Sequence, residues 1–184
     1  RTNEALKVID DSLSIDAFNV GVIFEKYLIT ENPEIISEIK HLLQEKVHTY
    51  IEYAIDFLTA GFYDEAISLL NLIEGSSFPM VHYFIGYLHY LKNDREKAVS
   101  FYKKAEELSP DLCFPNKLEE VLVLENAIEL NAFSPKANYY LGNFWYANRQ
   151  YTKAVECWEE SIKLDNNFPT ALRNLALAYY NKLN

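Results

Sequence analysis

Apolar residues in this chain fall at the three-and-four spacing of α-helices, in paired bursts separated by short polar turns. Several of these pairs keep one register. The clearest fills residues 135–168, PKANYYLGNFWYANRQYTKAVECWEESIKLDNNF, with Leu141-Gly142, Trp145, Tyr151, Ala154, Trp158, Ser161 and Leu164 as its marks. Residues 79–112 repeat the marks at Ile85-Gly86, Ala98, Tyr102, Ala105, Leu108 and Pro110. Residues 47–78 carry them at Tyr53-Ala54, Phe57, Gly61, Tyr63, Ala66 and Leu70. Residues 169–184 supply a first helix, PTALRNLALAYYNK, and stop before its partner.

One interval is irregular. Gly86 and Gly142 lie 56 residues apart, which is one helical repeat of about 34 plus roughly 22. The surplus, 114–134, predicts a single extra helix, KLEEVLVLENAIEL, with its stripe through Leu118, Val121, Leu122, Leu124, Glu125 and Ile128. Residues 1–46 predict degenerate helical repeats: a second helix, EALKVIDDSLSIDAFN, with Ala5, Ile9 and Ile15 in place, then a helix pair at 20–28 and 33–43.

Proline and capping residues place the boundaries. Pro33, Pro79, Pro115, Pro135 and Pro169 are expected at the first turn of helices, where a missing N–H is harmless, and Pro110 just past a helix end. Asn93 with Glu96 predicts a capping box, and Asn32 and Ser134 are expected N-caps.

Composition narrows the function classes. The net charge of −10 disfavours nucleic acid and anionic membrane surfaces, which draw on clustered Lys and Arg. No run is long and apolar enough to span a bilayer. The opening at Arg1 reads as the interior of a longer polypeptide. Cys113 and Cys157 match no metal-site spacing and predict free thiols; these fit a reducing compartment, so a cytoplasmic location is expected.

Candidate chemistry is sparse. His41 with His48, and His82 with His89, lack the acidic partners of a metal motif and predict packed or surface histidines. The pairs Asp10-Asp11, Glu106-Glu107, Glu119-Glu120 and Glu159-Glu160 diverge by about 100° around a helix, so they predict solvated charges rather than a catalytic couple. No phosphate loop or nucleophile elbow is present. No catalytic residue, metal or cofactor is expected.

These marks resemble the tetratricopeptide repeat. The resemblance covers residues 47–182 closely and 1–46 loosely. It implies an all-α fold, a right-handed α-α superhelix with one extra helix inserted between repeats, acting as a non-catalytic scaffold for a protein or peptide partner. Trp145 and Trp158 match positions that pack between the paired helices of tetratricopeptide repeats, and that likeness implies a core role for both. In that family the first helix of each pair lines a concave groove. The corresponding positions here are Met80, Tyr83, Tyr87, Tyr90 and Leu91, then Lys136, Tyr139, Asn143, Tyr146 and Ala147, then Thr170, Arg173, Leu177, Tyr180 and Asn181. Asn143 and Asn174 match two asparagines of the family's carboxylate clamp, but Tyr83 and Tyr139 stand where a clamp lysine would, so a clamp is not expected. The tyrosines suit peptide recognition and equally suit packing against adjacent helices. The run CFPNKLEEVLVLENAIELN, with YYLGNFWY and FPTALRNLALAYYNK, also resembles the C-terminal repeat region of large bacterial proteins with an uncharacterised β-rich N-terminal domain. That resemblance implies an alternative role: a structural or dimerising region of a larger, carbohydrate-related enzyme, with the missing N-terminal domain or a second copy as partner.

Overall fold

Helix signals dominate the sequence, and a computed structural model realises them as eleven α-helices among the described residues, 1–44 and 46–182, with no strand there. Glu45, Leu183 and Asn184, which fall in the predicted segments 1–46 and 169–184, lie outside the described residues. The chain divides into two compact units, Arg1–Ile73 and Glu74–Asn184. The division therefore falls one helix pair later than the predicted change from degenerate to regular repeats at 46/47.

The first unit holds α1 (Thr2–Ile15), α2 (Val20–Thr30), α3 (Pro33–Leu43), α4 (Val47–Ala60) and α5 (Tyr63–Asn71). Asn32 caps α3 by accepting from the Glu34 N–H, with Pro33 at the first helical position. Ile35, Ile39 and Leu43 then recur every fourth residue on its buried face. Val20, Ile23 and Phe24 of α2 and Tyr50, Ile51, Ala54 and Ile55 of α4 supply most of the remaining core. The rings of Phe24 and Phe57 meet edge to face at 5.8 Å. By contrast, α1 buries no residue.

The second unit holds α6 (Pro79–Leu91), α7 (Arg95–Glu107), α8 (Leu118–Leu130), α9 (Pro135–Ala147), α10 (Tyr151–Leu164) and α11 (Pro169–Lys182). α6 is buried without a break from Pro79 to Gly86. Its pair, α7, is capped by Asp94, whose carboxylate accepts from the Lys97 N–H. The predicted cap at Asn93 is thus one residue early: Asn93 occupies the left-handed turn before the cap, at φ 62°. Gly61, at φ 82°, and Arg149, at φ 61°, hold the equivalent turns of the α4–α5 and α9–α10 pairs. One left-handed residue between helices therefore recurs wherever the sequence register places it.

Two helix pairs close through the same contact. Gly86 faces Tyr102, and Gly142 faces Trp158. A Cβ on Gly142 would come within 2.5 Å of the indole Cδ1 and Nε1; one on Gly86 would come within 2.5 Å of the Tyr102 ring and 3.0 Å of the Ala98 carbonyl. Alanine favours a helix over glycine by about 1 kcal/mol, yet here the clash wins. Gly142→Ala and Gly86→Ala are each expected to lose about 1–3 kcal/mol in urea denaturation. Gly21, whose nearest neighbour would be Asn19 Oδ1 at 3.5 Å, is expected to gain from the same change.

α8 departs from its prediction in three ways. It begins at Leu118, so Pro115 lies in the preceding loop. Glu120 reaches back to accept from the N–H groups of Asn116 and Lys117 at 2.6 and 2.8 Å, and is itself buried. The buried arc runs through Glu120, Val121, Val123, Leu124, Asn126 and Ala127, while Leu118 and Leu122 of the predicted stripe face solvent. The reason is that α8 packs on both α6 and α9, and its Asn126 must meet the Tyr102 hydroxyl at 2.5 Å. Ser134 sits at the N-cap of α9 but does not cap it with its side chain. Its hydroxyl turns back to the Asn131 carbonyl at 2.7 Å and ties α9 to the end of α8.

Candidate functional site

The aromatic and amide positions of α9 separate into a buried layer and a pocket wall. Tyr139 is buried, its ring 4.8 Å from Phe168 and 5.6 Å from Tyr140. Tyr83 of α6 is fully buried between Tyr102 and Tyr140, and its hydroxyl donates to Glu106 Oε1 at 2.7 Å. Burial first, and the Glu106 charge second, hold that phenol well above its usual range. Neither ring can line an open groove, because α7 and α9 close over Tyr83 and Phe168 covers Tyr139.

Lys136 is also committed elsewhere. Its ammonium donates to the carbonyls of Glu106 and Leu108, the latter at 2.6 Å, at the C-terminal end of α7. Glu106 answers by accepting from the backbone N–H groups of Lys136 and Ala137 at 2.9 and 3.0 Å, the first turn of α9. The two ends thus cap each other. Burial raises the Glu106 carboxyl pKa, against the lowering effect of the three hydrogen bonds. Glu106 and Glu120, expected as solvated charges, are therefore structural acceptors; their helix-mates Glu107 and Glu119 stay outside the core.

The remaining α9 positions converge on an apolar pocket of about 230 Å³. Asn143, Tyr146 and Ala147 of α9 form one wall, Asn174 and Leu177 of α11 the other, with Trp158 of α10 and Phe114 closing it. The Trp158 N–H is shared between the Tyr139 carbonyl and Asn143 Oδ1, each at 3.2 Å. Asn174 donates to the same Asn143 oxygen at 3.1 Å. The Asn143 Nδ2 is buried and has no hydrogen-bond partner. Tyr146 leans on the indole, with centroids 5.4 Å apart.

Two segments of this chain match known repeat models: residues 81–112 match the tetratricopeptide repeat, and residues 145–182 match the family described as TPR repeat. The first contains the Gly86–Tyr102 contact and the left-handed Asn93; the second contains Trp158 and the left-handed Arg149. Residues 81–112 and 145–182 carry tetratricopeptide repeats. Crystalline MamA overlays 95% of this chain and 84% of its own, at 19% identity and a TM-score of 0.37. Yeast Tom70 covers 95% of this chain and 42% of its own, at 21% identity and 0.35. YrrB, described as a TPR protein with an unusual peptide-binding site, covers 90% and 96%, at 14% and 0.34. These overlays are loose, and the assignment rests on the repeat matches and the packing contacts.

Within the tetratricopeptide frame, Asn143, Tyr146 and Asn174 come together, while Tyr83, Tyr139 and Lys136 are drawn into packing. Tyr87 and Tyr90 stack on each other 6.2 Å apart, half-buried on α6 and outside the pocket. Arg173 is exposed and also outside it. Sequence reasoning missed Phe114, which lies in the loop before α8 and is 61% exposed; its only signal was a large apolar residue beside Pro115. Trp158, expected as core, is 2% exposed, yet one edge forms the pocket wall.

Among the described residues, no group of three His, Cys, Asp or Glu is placed to hold a metal, and no helix is long and apolar enough to cross a membrane. His82 and His89 flank the Phe101 ring at 6.3 and 5.5 Å, and burial lowers the His82 pKa. Both cysteines are free; burial pushes the Cys113 thiol up to about 12 and Cys157 up to about 11, which makes them poor nucleophiles.

Proposed function

We propose that this chain is a protein-interaction scaffold whose C-terminal repeats hold a short peptide segment in the pocket between α9, α10 and α11. The observation that carries the reading is the convergence of Asn143, Tyr146, Ala147, Asn174 and Leu177 on one apolar cavity. Stacked helix pairs characteristically present such a wall to a partner. Among the described residues the lining holds no cation, which favours a peptide's apolar side chain with its flanking backbone over a terminal carboxylate as the ligand. Trp158, Tyr146 and Leu177 supply rigid apolar surface at low entropic cost.

Selection of displayed random peptides on the immobilised protein tests this. Peptides sharing an apolar anchor are expected to enrich on the wild type. Their affinity is expected to drop at least about tenfold on Leu177→Arg, which puts a charge against the anchor. Leu177 is 45% exposed, so the variant should melt as the wild type does. Enrichment of nothing, or of peptides that bind Leu177→Arg equally well, would sink the reading.

A further inference from the structure

The acidic charge of this protein is unevenly spread. Residues 1–73 carry five Lys and Arg against thirteen Asp and Glu, while residues 74–184 carry twelve against fourteen. Within the Arg1–Ile73 unit, α2 and α4 bound a second pocket, of about 320 Å³. Its surface is mostly apolar, from Val22, Tyr53, Phe57 and the half-exposed Phe62, and two carboxylates, Glu25 and Asp56, stand in its wall. Neither has a cation or hydrogen-bond donor among the described residues. Glu25 is half-buried, and its carboxyl pKa is raised, by burial first and then by repulsion from Glu65 of α5.

That arrangement is unfavourable on its own. A half-buried carboxylate beside a second acidic group gains nothing from the fold and loses hydration. It becomes favourable once a cation enters. The stem of a Lys or Arg side chain covers aromatic and aliphatic surface, and its charged head reaches the carboxylates and ring faces. Neighbouring apolar residues of the same ligand would fill the rest of the pocket. The surrounding charge of −8 over residues 1–73 speeds the encounter with a basic segment and repels acidic ones.

We propose that the pocket between α2 and α4 docks a basic, apolar peptide segment of a partner protein, with a Lys or Arg side chain seated between Glu25 and Asp56 on the Phe57 and Phe62 rings. This surface is separate from the pocket at Trp158 and Leu177, so either can fail without the other.

The test is fluorescence anisotropy of the whole chain with labelled dodecapeptides of Leu-Lys-Lys-Leu blocks, compared with Leu-Gln-Gln-Leu and Ser-Lys-Lys-Ser blocks. The first is expected to bind at least about tenfold more tightly than the other two, and more weakly at high salt. Glu25→Gln/Asp56→Asn should reduce its affinity about tenfold or more without lowering the melting temperature, because it removes unpaired charge. Glu4→Gln/Asp11→Asn removes the same charge from exposed positions of α1 and should change affinity less than about twofold. Gly21→Leu fills the pocket mouth, where an added Cβ meets only Asn19 at an ordinary 3.5 Å, and should block binding in a protein of unchanged helicity. Leu177→Arg should have no effect. Equal binding of the Ser-Lys-Lys-Ser peptide, equal losses in the two double variants, or no binding at all would each overturn the proposal.

Discussion

Trp158→Ala is expected to lower the unfolding free energy by about 3–5 kcal/mol in urea denaturation followed by circular dichroism. The indole is 2% exposed and rests directly on Gly142, whose missing side chain makes the space for it. No neighbouring residue can fill that volume, since Gly142 brings no atoms of its own and Tyr146 already packs on the ring at 5.4 Å. The substitution also strips a donor from the buried Tyr139 carbonyl and from Asn143 Oδ1. Trp158→Phe keeps most of the volume and removes only the N–H, so it should cost about 1–2 kcal/mol. A loss below about 1 kcal/mol for the alanine variant would mean that the α9–α10 pair is not held by this contact.

Glu106→Ala is expected to cost about 3–4 kcal/mol. It removes the acceptor of three hydrogen bonds at once and leaves the fully buried Tyr83 hydroxyl and the first turn of α9 unpaired. Glu106→Gln should cost less, because an amide oxygen in the Oε1 place still accepts from Tyr83 and Ala137, although its nitrogen then opposes the Lys136 N–H. The pH dependence has a definite sign. The folded-state pKa is raised, so between the ordinary carboxylate value and the raised one the folded protein holds more protons than the unfolded chain. The stability owed to this group is therefore full below that window and falls as pH rises through it. Wild-type minus Glu106→Gln stability should decline with increasing pH across the window; a difference that grows would contradict the burial of this carboxyl.

The fold was legible because its signals are local. Gly61, Asn93 and Arg149 occupy one place in the register and all adopt the left-handed turn. Gly86 with Tyr102 and Gly142 with Trp158 are fixed spacings within single helix pairs, which sequence can report. What sequence could not report was which partner arrives from afar. Glu106 looks like any acidic residue on a polar helix, and only the landing of α9 some 30 residues later makes it a cap. Tyr83 and Tyr139 hold places that face outward in an open array, but here α7, α9 and Phe168 cover them. α8 has apolar residues nearly all round, so its pattern names no single face; packing on α6 and α9 selects the arc at Val123, Leu124 and Ala127. Asn143 and Tyr146 were placed on the groove by register and do line the pocket, whereas Phe114 came from a loop that carries no periodicity.

The most direct measurement of the central claim uses the protein's two tryptophans. An ¹⁵N–¹H spectrum should show two indole N–H signals, assigned with Trp145→Phe. Trp158 lines the pocket, whereas Trp145 lies outside it under the Lys153 ammonium. On titration with a peptide selected as above, the Trp158 indole signal should move to saturation while the Trp145 signal stays in place. A peptide that binds the protein and leaves the Trp158 signal unmoved would show that this pocket is not where the repeats hold their partner.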